Sequence, residues 1–79
     1  MTMTKIYALR EPLKIARIKA GLYQSEVAES ANVTQNTYAQ IESGRKSTSG
    51  KTAKLICRRL HVKFDDVFRV EEVKRWELQ

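Results

Sequence analysis

Cysteine, proline and histidine each occur once in the 79 residues, and glycine only three times. The single Cys57 excludes an intrachain disulfide framework and suits a reducing compartment. A lone histidine (His61) beside a lone cysteine supplies no metal-ligand set, so no metal and no cofactor is expected. Scarce proline and glycine among mixed charges exclude a low-complexity or disordered chain. No apolar run approaches the roughly 20 residues of a membrane-spanning helix. Met1 to Arg10 has no apolar centre of the kind a secretory signal carries. No side-chain set pairs a nucleophile with a base, so an enzyme is not expected. These absences leave one small cytoplasmic domain that folds by hydrophobic burial alone.

Positive charge is what the chain has in excess. Fifteen Lys and Arg stand against nine acids, a formal +6. That balance favours a polyanionic partner, nucleic acid ahead of a membrane surface. A membrane-surface helix needs a one-sided basic and apolar face, which no segment shows, so no membrane partner is expected. The length suits four or five short helices around one modest core, with no room for a separate ligand-sensing domain.

Helical spacing organises residues 12–68, with 1–11 as an arm or short strand and 69–79 as a tail. Leu13 to Ala20 reads as a first helix, with Pro12 in its first turn, Glu11 as its cap and Gly21 as its end. Leu13, Ala16, Arg17 and Ala20 share one face. Ile15 and Ile18 form a second apolar patch that needs a cover. Ala53, Ile56, Cys57 and Leu60 mark the inner face of a fourth helix, and Phe64, Val67 and Phe68 a short fifth one led by Asp65 and Asp66. The segment Arg45 to Lys51 reads as a basic loop. The tail is compatible with a helix through Val70, Val73 and Trp76, or with a strand paired to residues 4–9; the strand is favoured because a two-stranded flap would cover Ile15 and Ile18. Gly44 to Thr52 has the look of a phosphate-binding P-loop, but five residues separate its first two glycines where that motif needs four.

The most informative stretch is Gln24 to Ser43. Val27, Ala28 and Ala31 fall on one face of a second helix, and Val33, Tyr38 and Ile41 on the inner face of a third. Ala28 is small where two helices must cross closely. Asn32 sits in the turn between them and tolerates a left-handed backbone, and Thr34 is placed to cap the third helix. Outward on that helix remain Gln35, Asn36, Thr37, Ala39 and Gln40. Amide side chains donate and accept together, which is what the major-groove edge of adenine asks for.

In register, Gln24, Val27-Ala28, Asn32-Val33, Tyr38 and Ile41-Glu42-Ser43-Gly44-Arg45 resemble the helix-turn-helix of the phage-repressor and Cro-like family, also called the Xre family. Downstream, Leu60-His61-Val62 and Phe64-Asp65-Asp66-Val67-Phe68 resemble the family's closing segment, so the resemblance spans Leu13 to Phe68. It implies an all-α, five-helix, lambda-repressor-like domain, here with a small two-stranded terminal hairpin as the added possibility. Three positions depart from the family pattern: Tyr23 where a capping serine is usual, His61 where glycine takes the left-handed conformation, and Tyr38 in place of a smaller aliphatic.

The resemblance implies that the third helix reads base edges with Gln35, Asn36, Thr37 and Gln40. Gln24, Tyr23, Thr34, Arg45, Lys46 and Lys51 are the corresponding candidates for backbone phosphates. It also implies a structural pair, Arg17 with Glu42, tying the first helix to the third. The function implied is sequence-specific binding of double-stranded DNA in the bacterial cytoplasm, at the nucleoid, by a transcriptional repressor. One short helix reads few base pairs, so a homodimer on a palindromic operator is expected. Its contact would lie at Leu55, at Phe64 and Phe68, or at Val70, Val73 and Trp76. An antitoxin or restriction-modification controller of the same fold, with a toxin or antirepressor as partner, stays open, as does an interaction module that has lost DNA binding.

Overall fold

The computed structural model describes residues 2–74. Five helices and two strands run in the order β1 (Thr2–Ala8), α1 (Arg10–Lys19), α2 (Gln24–Ser30), α3 (Gln35–Glu42), α4 (Gly50–Leu60), α5 (Phe64–Val67) and β2 (Phe68–Lys74). The helices bury the residues their spacing implies: Val27 and Ala28 of α2, Tyr38 and Ile41 of α3, and Ala53, Ile56, Cys57 and Leu60 of α4. Leu13 of α1 and Val67 of α5 complete the core, with Ala8 and Phe68 from the strand ends. Burial pushes the Cys57 thiol above its ordinary pKa, as befits a packed side chain rather than a reactive one.

Four helices end in the same way. Gly21, Asn32, Gly44 and His61 all have positive φ, at 73°, 58°, 79° and 55°. In each case the next amide reaches back to a carbonyl of the last turn: Leu22 N to Arg17 O, Val33 N to Ala28 O, Arg45 N to Gln40 O and Val62 N to Cys57 O. This left-handed closure satisfies carbonyls that a helix end otherwise leaves unpaired. Glycine enters it without strain, asparagine at small cost, and histidine at a cost on the order of 1 kcal/mol. Starts are capped as well. Thr34 Oγ1 accepts from Thr37 N and Ser49 Oγ from Thr52 N, both at 3.1 Å. At α2, Tyr23 offers no side-chain cap, but Glu26 Oε1 accepts from Tyr23 N at 2.9 Å, so the acid three residues on supplies the contact instead.

The terminal strands pair antiparallel from Thr2↔Lys74 to Ala8↔Phe68, which bears out the strand reading of residues 68–74. Trp76 lies outside the described residues. The hairpin does not serve the purpose expected of it: Ile15 and Ile18 stay 45% and 56% exposed. Its inner face instead delivers Ala8 and Phe68 to the core, with Ile6 packed alongside.

Several other expectations are corrected. Leu9, not Glu11, is the N-cap of α1, because Leu9 N donates to Val67 O at 2.8 Å and fixes the chain where β1 gives way to the helix. Pro12 thus occupies the third helical position, where its missing N–H has no helical acceptor to lose. Ala20 is exposed instead of sharing a buried face with Leu13. Lys51 belongs to the first turn of α4, not to the preceding loop, because the Ser49 cap starts that helix at Gly50. Phe68 opens β2 and is buried, stacked on Phe64 at 5.5 Å, so it offers no surface to a second copy.

His61 is exposed, and its strain is local. His61→Gly relieves the side-chain clash of the left-handed backbone, offset in part by the greater freedom of glycine in the unfolded chain. We expect a rise in melting temperature of a few degrees, as a gain of up to about 1 kcal/mol gives in a domain this small. A fall on thermal denaturation contradicts the account.

Candidate nucleic-acid interface

The α2–turn–α3 unit is set by opposing demands on α3. Tyr38 and Ile41, three residues apart, turn one arc inward and are buried. The opposite arc is therefore held outward: Gln35 and Asn36 are exposed, and Thr37, Ala39 and Gln40 half-buried. Asn36 and Gln40 lie one turn apart on the same side. At about 1.5 Å rise per residue the eight residues of α3 extend about 12 Å, close to the width of a B-DNA major groove.

Hydroxyl geometry refines the Thr pair. Thr34 Oγ1 accepts the Thr37 amide and donates to Thr37 Oγ1 at 3.0 Å. Its proton is used within the cap, which leaves the Thr37 hydroxyl as the one with a hydrogen to offer outward.

Arg17 anchors α3 from behind. Its Nε donates to Glu42 Oε2 at 2.9 Å and its Nη2 to Glu42 Oε1 at 3.1 Å, while Nη1 donates to Leu22 O at 2.9 Å. The side chains are 13% and 5% exposed, so this is a nearly buried, two-pronged ion pair. The bond to Glu42 raises the Arg17 pKa further, against the opposing effect of burial. The Tyr38 hydroxyl is buried beside both charges but makes no hydrogen bond of ordinary geometry. Burial, then the Glu42 charge, drives its pKa far above the usual phenol value.

The loop after α3 is pinned to the helix it leaves. Gln40 O accepts from Arg45 N at 3.1 Å, Lys46 N at 3.3 Å and Ser43 Oγ at 3.0 Å. The Arg45 and Lys46 side chains are left exposed just beyond the α3 C-terminus. Lys51 projects from α4, exposed, after Thr48 N has bonded Ile6 O at 2.8 Å. Gln24 is half-buried at the start of α2, and Tyr23 before it is 77% exposed. None of Arg45, Lys46 and Lys51 forms an ion pair among the described residues.

The sequence reading missed Arg10 and Lys14. With Arg17 they recur at i, i+4 and i+7 along α1, a spacing that signals one basic helix face. The structure brings them to a cleft shared with Gln24 and with Ala39 of α3. No group of three or more His, Cys, Asp or Glu among the described residues could hold a metal ion. No helix there is long and apolar enough to cross a membrane.

A family model for helix-turn-helix domains (HTH_3) matches residues 13–67. An uncharacterized HTH-type transcriptional regulator of Archaeoglobus fulgidus is 32% identical over 69 residues, 87% of this chain and 97% of that protein. A second, YgzD of Bacillus subtilis, is 34% identical over 64 residues, 81% of this chain and 97% of its own. The crystal structure of the clp gene regulator ClgR from C. glutamicum superposes with a TM-score of 0.62 at 27% identity, covering 70% of this chain and 71% of that one.

Removing one member of a buried pair strands the other. Glu42→Ala is expected to cost about 3 kcal/mol in denaturant unfolding, the low end for a buried charge because Arg17 retains some access to water. Tyr38→Phe removes a hydroxyl that bonds nothing and is expected to change stability by less than about 1 kcal/mol. A loss of 2 kcal/mol or more on Tyr38→Phe means that the hydroxyl is bonded to the pair after all.

Proposed function

The chain belongs to the helix-turn-helix family of transcriptional regulators, and from that premise we propose that it is a repressor that reads a palindromic operator as a homodimer. The observation that carries this reading is the uncharged, amide-bearing outer arc of α3, held clear of the core by Tyr38 and Ile41. Gln35, Asn36 and Gln40 meet base edges, where an amide answers the paired donor and acceptor of adenine. The Thr37 hydroxyl reaches a base or a phosphate. Gln24, Tyr23, Thr34, Arg45, Lys46 and Lys51 set register on the backbone, with Thr34 contributing through its capped helix start more than through its committed hydroxyl.

Dimerisation follows from scale. Asn36 and Gln40 stand about 6 Å apart along the helix, roughly two base-pair steps, so one α3 covers a handful of base pairs. A site that short recurs far too often in a genome to direct one promoter. Two half-sites about one helical turn apart multiply the discrimination, and a two-fold dimer presents two copies of α3 at that spacing. Repression then needs nothing beyond occupancy of promoter DNA.

Selection of bound duplexes from a random pool tests the reading directly: an inverted repeat with half-sites about 10 base pairs apart is expected. On the selected site, Gln35→Ala and Asn36→Ala are each expected to lose roughly 1–3 kcal/mol of discrimination against substituted bases. Lys46→Ala is expected to weaken binding to all sequences alike. Recovery of no preferred sequence by the unaltered protein rejects the proposal.

A further inference from the structure

The cleft between α1 and the helix-turn-helix has a volume of about 190 Å³ and is walled by Arg10, Lys14 and Arg17 on one side and by Gln24, Ala39 and Ser43 on the other. Its charge is unbalanced. Glu42, the one acid in the wall, has both carboxylate oxygens committed to Arg17. That leaves Arg10 and Lys14 as two exposed cations with no ion-pair partner among the described residues.

The position of Arg10 is electrostatically unfavourable to the fold. Arg10 is the first residue of α1, where the backbone dipole disfavours positive charge, with Glu11 beside it as the acid of that turn; Lys14 lies beyond the first turn. Neither cation has an ion-pair partner among the described residues, and a negative group from outside the chain would supply one. The opposite wall shows what fits. Ala39 is three residues from Asn36 and four from Gln35, so the cleft borders the outer arc of α3 directly. Alanine there leaves room for a bulky group to lie against the helix, and the half-buried Gln24 amide stands on the same rim.

We propose that this cleft is a second backbone clamp, in which Arg10 and Lys14 hold a phosphodiester of the DNA strand that flanks the groove entered by α3. The proposal rests on the DNA-binding reading above and extends it from α2 and α3 to the first helix. Arg45 and Lys46 follow the C-terminus of α3, the end whose Glu42 and Ser43 line the cleft, so the clamp adds two further cations beside that end of the recognition helix.

The test is the salt dependence of binding to a mixed-sequence duplex, which needs no knowledge of the operator. Arg10→Gln with Lys14→Gln is expected to reduce the slope of log K against log salt by about 1.8, two phosphate contacts at about 0.9 each. Binding would be roughly 60-fold weaker near 0.1 M salt, with the two curves converging as salt approaches 1 M. Lys14→Gln alone is expected to give half that change in slope. Lys19→Gln with Lys63→Gln removes the same charge from exposed positions outside the cleft and is expected to leave the slope nearly unaltered. The cleft variant should melt at or above the temperature of the unaltered protein, which separates lost contact from lost fold. An unchanged slope in the cleft variant, or an equal fall in the control, overturns the clamp while leaving base reading by α3 intact. Absence of any duplex binding by the unaltered protein overturns both.

Discussion

The Arg17 guanidinium is the point from which the geometry of the binding face is set. Its donors reach α3 through Glu42 and the α1–α2 connection through Leu22, so α1, the connection that leaves it and α3 meet at one planar group. The core residues Tyr38 and Ile41 determine how α3 rotates about its axis, but a hydrophobic contact resists sliding only weakly. A two-pronged pair with bonds of 2.9 and 3.1 Å resists both sliding and twist. Lysine cannot replace it, since a single ammonium cannot present the fork. Net stability is not the main return from such a pair, because desolvating two charges offsets much of their attraction. The return is placement of a helix that must present side chains to a rigid external surface.

The rest of the molecule braces that placement. Gln40 O gathers three donors from the residues that follow, so the basic loop leaves α3 in one direction. Thr48 N then bonds Ile6 O, which ties the loop to β1 and, through the β1–β2 pairing, to the far end of the chain. The hairpin thus contributes where it was not expected to: it closes the end of the core with Ala8 and Phe68 and leaves the α1 isoleucines in water. Its two strands precede and follow the five helices in sequence, so their pairing closes the helical segment between them.

The helical part was legible because its signals are local. Val27-Ala28, Tyr38, Ile41 and the Ala53–Leu60 series declare inner faces by spacing alone, and Thr34, Asn32 and Gly44 mark helix ends by backbone chemistry. The Arg17–Glu42 contact was legible only through family resemblance, since 25 residues separate its members. What the sequence hid was set by non-local bonds. The start of α1 depends on Leu9 N meeting Val67 O, and neither residue advertises that contact. The partition of the hairpin between core and solvent depends on which face meets the helices, and alternation alone does not choose. Arg10 and Lys14 were overlooked for a different reason. Their spacing was visible, but the meaning of a basic helix face depends on what lies across from it.

Charge placement gives the best independent indication of what the surface is for. A protein that needed only to fold would put acids at helix starts and bases at helix ends, each worth a few tenths of a kcal/mol to about 1. α5 follows that rule with Asp65 and Asp66, and α2 with Glu26. α1 keeps it with Glu11 but opens on Arg10, and α4 carries Lys51 in a first turn that has no acid. Both cations are exposed and have no ion-pair partner among the described residues. Each is a charge the fold does not use, and a polyanion seated against it would offset it. The excess of +6 is in this sense not spread as a solubilising coat. Part of it stands in the first turns of α1 and α4, where the fold itself gains nothing from positive charge.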